Sequence, residues 1–209
     1  MSFYFKKIAE GYIAANEYVL WDESLNCALI DAGDPLDKVR QITEQEGLTV
    51  RYIILTHVHY DHICGLPAQR LAFPEAKVIC HEGDSKFFAN PYANASVLFG
   101  SEKRFEGADM TVKDGDILEL SPGNELEIIS TPGHTPGSIC IKAGNMLFTG
   151  DTLFCGNFGR TDLGYGSSED LARSIDMLYK MDGDLKVLPG HGTATTIRRE
   201  RDTNPFMDW

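Results

Sequence analysis

The chain is organised around one stretch, Thr56-His57-Val58-His59-Tyr60-Asp61-His62. It follows the apolar, β-branched run 50–55, which is typical of a buried strand. Four of its seven residues carry imidazole or carboxylate groups, the ligands that Zn²⁺ and Fe²⁺ prefer. Because three of the six histidines fall within these seven residues, a chance cluster on a polar turn is a poor explanation. The stretch therefore predicts a metal site at the end of a strand.

Other metal-capable residues also follow apolar strands or rigid turns. His134 lies in the Pro- and Gly-rich turn 131–137, Asp151 follows the apolar run 146–149, and His191 follows the short apolar run 185–188. The candidate metal ligands are then His57, His59, Asp61, His62, His134, Asp151 and His191. This number of donors exceeds what one tetrahedral ion needs, and it suits two ions that share a bridging carboxylate and a bridging hydroxide. The sequence therefore predicts a dinuclear centre.

The remaining histidine, His81, also ends a strand but has no neighbouring donors, so we predict a hydrogen-bonded loop residue there. Five cysteines without a C-x-x-C pair indicate reduced thiols and a cytoplasmic location rather than a disulfide framework.

Length and charge limit the remaining possibilities. With 209 residues, 20 glycines and 9 prolines, the chain is expected to form a single domain, residues 1–209, with many turns. The net charge of -12 argues against a nucleic-acid partner. No apolar run is long enough for a membrane span or an export signal, so we expect neither membrane contact nor secretion. The oligomeric state stays open.

The order of elements predicts an α/β fold. Three short strands (3–8, 12–21 and 27–31) precede a helix from residue 34 to 46 and a strand over 50–55. A second unit of helix and strand runs to residue 80, and a turn at 82–84 leads into the segment 85–89. Closely spaced strands fill 111–149, and helices are expected at 167–180 and 195–202. Residues 90–107 form either a cover over the site or a surface excursion packed by its own aromatic residues.

Four motifs in this order resemble the metallo-β-lactamase superfamily: residues 56–62, Pro132-Gly133-His134-Thr135, Gly150-Asp151-Thr152 and Gly190-His191-Gly192. The resemblance covers nearly the whole chain. It implies an αββα sandwich of two mixed β-sheets flanked by helices, with the metals at one edge of the sheets. It also implies a first metal held by His57, His59 and His134, a second held by Asp61, His62 and His191, and Asp151 as the bridge.

Within that superfamily the chain is similar to the small glyoxalase II-like hydrolases, through residues 150–154, 159–163 and 199–205. This implies hydrolysis of a small, hydroxyacylglutathione-like thioester with two divalent metal ions. Zinc is expected, with iron or a mixed iron and zinc pair as the alternative. Arg160 is the candidate substrate-binding residue, with a structural role in its glycine-rich loop as the alternative. Asp162 stands where glutathione-specific enzymes carry an aromatic residue, and no C-terminal helical domain follows, so glutathione itself stays open.

Two metal ions lower the pKa of a bound water to about 7 and polarise the carbonyl under attack. We assign Asp61 either a catalytic role, in orienting that hydroxide, or a role as a ligand alone. The main alternative function is a mononuclear iron persulfide dioxygenase that uses His57, His134 and Asp151. A lactone or other ester hydrolase of the same fold is a second alternative, and a non-enzymatic metal-binding protein is a third. A β-lactamase is disfavoured by the missing export signal, and a nuclease by the negative charge.

Overall fold

Two six-stranded mixed sheets form the centre of the molecule in the computed structural model, which describes residues 2–9, 15–33 and 36–205. The strands are β1 (Phe3–Ile8), β2 (Glu17–Asp22), β3 (Asn26–Ile30), β4 (Thr49–Ile54), β5 (Lys77–His81), β6 (Met110–Val112), β7 (Ile117–Ser121), β8 (Asn124–Ser130), β9 (Ile139–Ala143), β10 (Met146–Gly150), β11 (Leu153–Phe154), β12 (Asn157–Phe158), β13 (Lys186–Pro189) and β14 (Thr195–Thr196). The helices are α1 (Leu36–Glu46), α2 (Tyr60–Ile63), α3 (Leu66–Ala72), α4 (Ser168–Tyr179) and α5 (Ile197–Thr203).

Each sheet combines parallel and antiparallel pairs. The first sheet has the order β1-β2-β3-β4-β5-β6, and its pairs are parallel from β3 onward. The second sheet has the order β14-β13-β10-β9-β8-β7, and only β10 and β13 run parallel. Strands β11 and β12 form a separate hairpin.

Three apolar clusters define four layers. One cluster joins α1 and α3 to the first sheet, and includes Val39 and Leu66. A second lies between the sheets, where Ile54 of the first packs in the same cluster as Phe148 of the second. A third joins α4 to the second sheet through residues such as Leu171. The predicted αββα sandwich of two mixed sheets is therefore confirmed.

Several boundaries differ from those predicted. Strand β2 begins at Glu17, and residues 12–14 of the predicted strand and 34–35 of the predicted helix lie outside the described residues. Residues 85–89 form turns, in which the amide of Phe87 donates to the carbonyl of Asp84 at 2.8 Å. A 3₁₀ turn at Glu82–Asp84 precedes them. The predicted turn at 56–62 ends in the short helix α2.

The parallel pairs direct four strand ends to one edge. β3 and β4 end beside each other, and so do β10 and β13, because parallel strands share their carboxyl ends. The amide of Ile139 donates to the carbonyl of Thr56 at 2.9 Å and links the two sheets there.

All five cysteines lie in the described ranges without a disulfide. Among the described residues, no helix has the length and apolar character needed to cross a membrane.

Candidate metal centre

The strand ends bring all seven candidate ligands to one place. Asp151 follows β10, His191 follows β13, and His134 lies in the loop after β8. The other four ligands follow β4, with His57 and His59 in the loop and Asp61 and His62 in α2. They form three overlapping groups, within each of which the ligand atoms lie within 4.8 Å of one another: His57, His59 and His134; His57, His62 and Asp151; Asp61, His62 and His191. The first and third are the two ligand sets that the sequence resemblance implied.

Buried polar atoms without partners support a cation at this position. Within the described part of the chain, His57 Nε2 is buried without a hydrogen-bond partner. His62 Nε2 and Asp151 Oδ1 are also buried; they lie 3.3 Å apart but form no well-aligned hydrogen bond. Buried polar atoms in folded proteins are nearly always paired. Imidazole nitrogens and a carboxylate oxygen are suitable ligands for a transition metal. The residues present therefore fit bound metal.

Asp151 lies between the groups. Its Oδ1 is 3.3 Å from His62 Nε2, while its Oδ2 is 3.6 Å from His134 Nε2 and 3.5 Å from His191 Nε2. Oδ1 thus faces His62, which belongs to the group with Asp61 and His191. Oδ2 lies between His134, which belongs to the group with His57 and His59, and His191. This is the position that a bridging carboxylate requires.

A buried aspartate that sequence reasoning did not select orients His62. Asp31 Oδ2 lies 2.8 Å from His62 Nδ1. His62 Nδ1 therefore donates to this carboxylate, and Nε2 is the nitrogen left to bind a metal. Asp31 Oδ1 also accepts from the amide of Thr56 at 2.8 Å and from its hydroxyl at 3.0 Å. With φ of 65°, Asp31 adopts the left-handed conformation, which aspartate tolerates better than most residues.

A second buried aspartate, Asp84, joins two of the metal-binding loops. Its Oδ2 accepts from the amide of Val58 at 3.1 Å and from the hydroxyl of Thr135 at 2.8 Å, and its Oδ1 accepts from the amide of Gly137 at 2.8 Å. Nearby, His134 Nδ1 donates to the carbonyl of Arg160 at 2.6 Å. The lone pair of this ring is therefore on Nε2, which lies 2.8 Å from His59 Nδ1 within the first group of donors.

The loop that carries His191 is held by residues near the start of the chain. Asn16 Nδ2 donates to the carbonyl of Pro189 at 2.8 Å and to that of Gly192 at 3.0 Å, and the Tyr18 hydroxyl donates to Pro189 at 2.7 Å. Gly190 passes so close to the site that a Cβ there would lie 2.3 Å from Asp151 Oδ1. Only glycine fits at this position without displacing the carboxylate.

Burial and neighbouring charges shift the pKa values of the site. Burial, together with the surrounding histidines, lowers the pKa of His57, and it lowers that of His59 to about 3. Burial also opposes charge on His62, but the carboxylates of Asp31 and Asp151 outweigh it and raise that pKa. For Asp151, burial is likewise outweighed, by His62 and other histidines, and the pKa is lowered. A metal therefore meets deprotonated rings at His57 and His59, whereas at His62 and His191, whose pKa values are raised, it competes with a proton.

An open cleft of about 460 Å³ leads to the centre. Its lining residues are His59, Asp61, Ala95, Leu98, Phe99, His134, Asp151, Phe154, Phe158, Arg160, Leu163 and His191. A 3₁₀ turn at Ser96–Phe99 supplies part of one wall. Residues 95, 98 and 99 of the segment 90–107 therefore line the cleft, while Asn94 and Ser96 hydrogen-bond to the carbonyl of Lys103 within the same segment.

Arg160 and His81, the other two residues considered from the sequence, both lie in described loops. Arg160 lines the cleft and pairs with Asp162. His81 is a hydrogen-bonded loop residue, as predicted, because it accepts from the amide of Gly83 and contacts the Ser130 hydroxyl at 3.0 Å. Among the supporting residues that sequence reasoning missed, Asp31 had a visible signal, since it ends a strand as His57 and Asp151 do.

Comparison with known proteins identifies relatives over nearly the full length. A family model described as Metallo-beta-lactamase superfamily matches residues 13–191. The probable metallo-hydrolase YqgX of Bacillus subtilis is 35% identical, and the match covers 97% of each chain. Hydroxyacylglutathione hydrolase GloC of Haemophilus influenzae is 33% identical, with 91% of each chain covered.

Solved structures agree with this comparison. The BLEG-1 B3 metallo-β-lactamase matches with a TM-score of 0.92 and 32% identity. The match covers 99% of this chain and 100% of the BLEG-1 chain. TTHA1623 in a di-iron-bound form matches with a TM-score of 0.84 and 27% identity, over 96% and 99% of the two chains. ETHE1 from Myxococcus xanthus matches with a TM-score of 0.82 and 27% identity, over 97% and 83%.

Proposed function

Because the chain belongs to the metallo-β-lactamase superfamily, we propose that it is a dinuclear metallo-hydrolase that cleaves a small thioester. The chain is a metal-dependent hydrolase of that superfamily, with a cluster of histidines and aspartates suited to divalent metals. The number of metals, their identity and the thioester substrate are the proposed part.

The observation that supports two metals most strongly is the position of Asp151 between two complete groups of donors. We assign His57, His59 and His134 to one ion and Asp61, His62 and His191 to the other, with Asp151 shared. The di-iron form of TTHA1623, a relative by structure, agrees with this number. We propose zinc as the metal, with iron or a mixed pair as the alternative.

Bound metals would supply a water activated for attack at neutral pH and would polarise the substrate carbonyl. The protein supplies position and surroundings. Asp61 Oδ2 lies 3.3 Å from His191 Nε2, and we assign its other oxygen to orienting the attacking water and accepting its proton. A thiol has a pKa near 8.5, so a thiolate leaves without a dedicated acid, and no isolated acid lines the described cleft.

Two observations support a thioester. A relative that is 33% identical carries the name hydroxyacylglutathione hydrolase. The cleft has an apolar wall, which includes Phe154, Phe158 and Leu163. Such a lining accepts a small acyl group beside the metals and a longer thiol portion along the wall.

Two competing functions have support of their own. A β-lactam is the competing acyl substrate, because BLEG-1 is 32% identical with a TM-score of 0.92. An iron persulfide dioxygenase would need only His57, His134 and Asp151. These three lie together, since the rings of His57 and His134 are 4.7 Å apart and His134 Nε2 is 3.6 Å from Asp151 Oδ2.

The test is a substrate panel measured on one preparation of purified protein loaded with zinc or with iron. The panel contains S-lactoylglutathione, S-acetyl-N-acetylcysteamine, nitrocefin and glutathione persulfide, the last in an oxygen electrode. We expect thioester hydrolysis to have the highest kcat/KM and to disappear in the His59→Ala variant. Oxygen consumption with one iron per chain, or a higher kcat/KM for nitrocefin, would contradict the proposal.

A further inference from the structure

The cleft contains a cation that is already paired. Among the described residues that line the cleft, Arg160 is the only lysine or arginine. Its Nε lies 2.6 Å from Asp162 Oδ1, and its Nη2 lies 2.7 Å from Asp162 Oδ2. The two side chains thus form a bidentate pair, in which two of the guanidinium donors and both carboxylate oxygens are used.

The backbone beneath this pair is fixed to the metal centre. The carbonyl of Arg160 accepts from His134 Nδ1 at 2.6 Å. The preceding Gly159 lies against the backbone of Asp151, where a Cβ would come within 1.7 Å of the carbonyl oxygen. Arg160 therefore starts from a defined point beside the reacting groups, and Asp162, two residues later, is within reach of its guanidinium.

The pair is exposed but stays charged. The side chains of Arg160 and Asp162 are 61% and 68% exposed. Their hydrogen bonds raise the pKa of Arg160 and lower that of Asp162 to about 2, so both are ionised at neutral pH. Because exposed ion pairs are weak, a substrate carboxylate can displace Asp162, although it must compete with it.

We propose that Asp162 determines substrate specificity by occupying Arg160, so that the cleft has little preference for thioesters that carry a carboxylate over uncharged ones. This inference rests on the proposed thioester hydrolysis and names its substrate class. The apolar wall formed by Leu98, Phe99, Phe154, Phe158 and Leu163 contacts charged and uncharged thiol portions alike. Removal of the Asp162 charge is expected to convert Arg160 into a site for a carboxylate.

The experiment compares two thioesters with the same acyl group, S-acetylglutathione, which carries carboxylates, and S-acetyl-N-acetylcysteamine, which carries none. The readout is the ratio of their kcat/KM values in four metal-loaded variants and the wild type. The variants are Asp162→Asn, Arg160→Gln, the double variant of both, and Asp184→Asn. The last is a matched control, because Asp184 forms an exposed pair with Arg198 away from the cleft and its change alters the net charge equally.

In Asp162→Asn we expect the ratio to rise about three- to fivefold through a lower KM for S-acetylglutathione, and to fall back as ionic strength increases. The double variant should return to the wild-type ratio, and Arg160→Gln and Asp184→Asn should each change it less than about twofold. An unchanged ratio in Asp162→Asn, or a rise that persists in the double variant, would overturn the inference.

Failure of the proposed function is a separate outcome, namely that the wild type hydrolyses neither thioester. Calorimetric binding of S-hexylglutathione, which cannot be hydrolysed, tests the specificity of the cleft without turnover. We expect its Kd to fall about three- to fivefold in Asp162→Asn and not in Asp184→Asn. Equal Kd values in the two variants would contradict the role of Asp162.

Discussion

The metal centre and the glycine-rich loop at 156–166 meet at the same cleft but are built differently. In the metal centre, His62 has its second ring nitrogen fixed by the buried carboxylate of Asp31, and His134 has its own fixed by the backbone carbonyl of Arg160. In the loop, the Arg160 guanidinium has one exposed partner, two residues away. The metal-binding histidines are therefore oriented by residues distant in the sequence. The Arg160 guanidinium is instead oriented by Asp162 alone, and a single substitution removes that contact.

This difference predicts effects of very different size. Substitutions in the buried network should change metal binding, stability and turnover together, because each group supports several others. Substitutions in the exposed loop should change KM for some substrates and leave stability unaltered.

The largest effect is expected for Asp151→Ala, which removes the carboxylate between the two donor groups. Because bound metal supplies several kcal/mol of transition-state stabilisation, we expect kcat/KM to fall at least about a thousandfold. Elemental analysis should show fewer metal ions per chain, with unchanged circular dichroism. The exposed Asp170→Ala is the control. Wild-type turnover in Asp151→Ala would remove this residue from the centre.

A large effect on stability is expected for Gly190→Ala. The added methyl would lie 2.3 Å from Asp151 Oδ1 and 2.8 Å from His62 Cε1, so the loop must shift. We expect the free energy of unfolding to fall by about 2 kcal/mol, measured in urea. Gly107→Ala is the matched control, since a Cβ there meets nothing within 4 Å, and equal stability of the two variants would contradict the close approach.

An intermediate effect, on metal affinity, is expected for Asp31→Asn. Asparagine has the same side-chain shape as aspartate and also tolerates the left-handed backbone conformation. The amide can donate to His62 Nδ1 and so favour the tautomer that places the proton on Nε2, the atom that faces Asp151. Metal affinity should fall about tenfold to a hundredfold, measured by competition with a chromophoric chelator. Unaltered affinity would show that Asp31 does not orient the ligand.

A smaller, pH-dependent effect is expected for Glu17→Gln. Burial raises the pKa of Glu17 from 4.5 to about 8, although Gln69 donates to its Oε1 at 2.9 Å. Between these pH values the folded state keeps a proton that the unfolded state has lost, so the stability of the wild type declines as the pH rises.

In the wild type, the free energy of unfolding should fall by about 1 kcal/mol per pH unit in this range, and Glu17→Gln should abolish this dependence. Urea unfolding at pH 6 and pH 7.5 measures it, with the exposed Glu75→Gln as control. Parallel curves for Glu17→Gln and the wild type would contradict the raised pKa.

The smallest effect is expected for Arg160→Gln. Since Asp162 already occupies the guanidinium, KM for S-acetylglutathione should rise less than about twofold, and the free energy of unfolding should not change. A tenfold rise in KM would show that Arg160 is available to the substrate in the wild type.

The resemblance of the four motifs to a known family predicted the layers, and local patterns indicated where donors would lie, because apolar runs precede His57, Asp151 and His191. The sequence was not sufficient to predict the residues that support them. Asn16 contacts Pro189 across 173 positions, and Asp84 contacts Thr135 across 51. Such contacts depend on how the two sheets pack, and no spacing along the chain encodes them.

The central claim, two metal ions between the ends of the two sheets, is tested most directly by counting metal per chain. Native mass spectrometry of protein purified without chelator should show two divalent ions in the wild type. His191→Ala, which removes a ligand of one proposed group only, should retain one ion. A single ion in the wild type under saturating zinc, or two ions retained in His191→Ala, would contradict the dinuclear assignment.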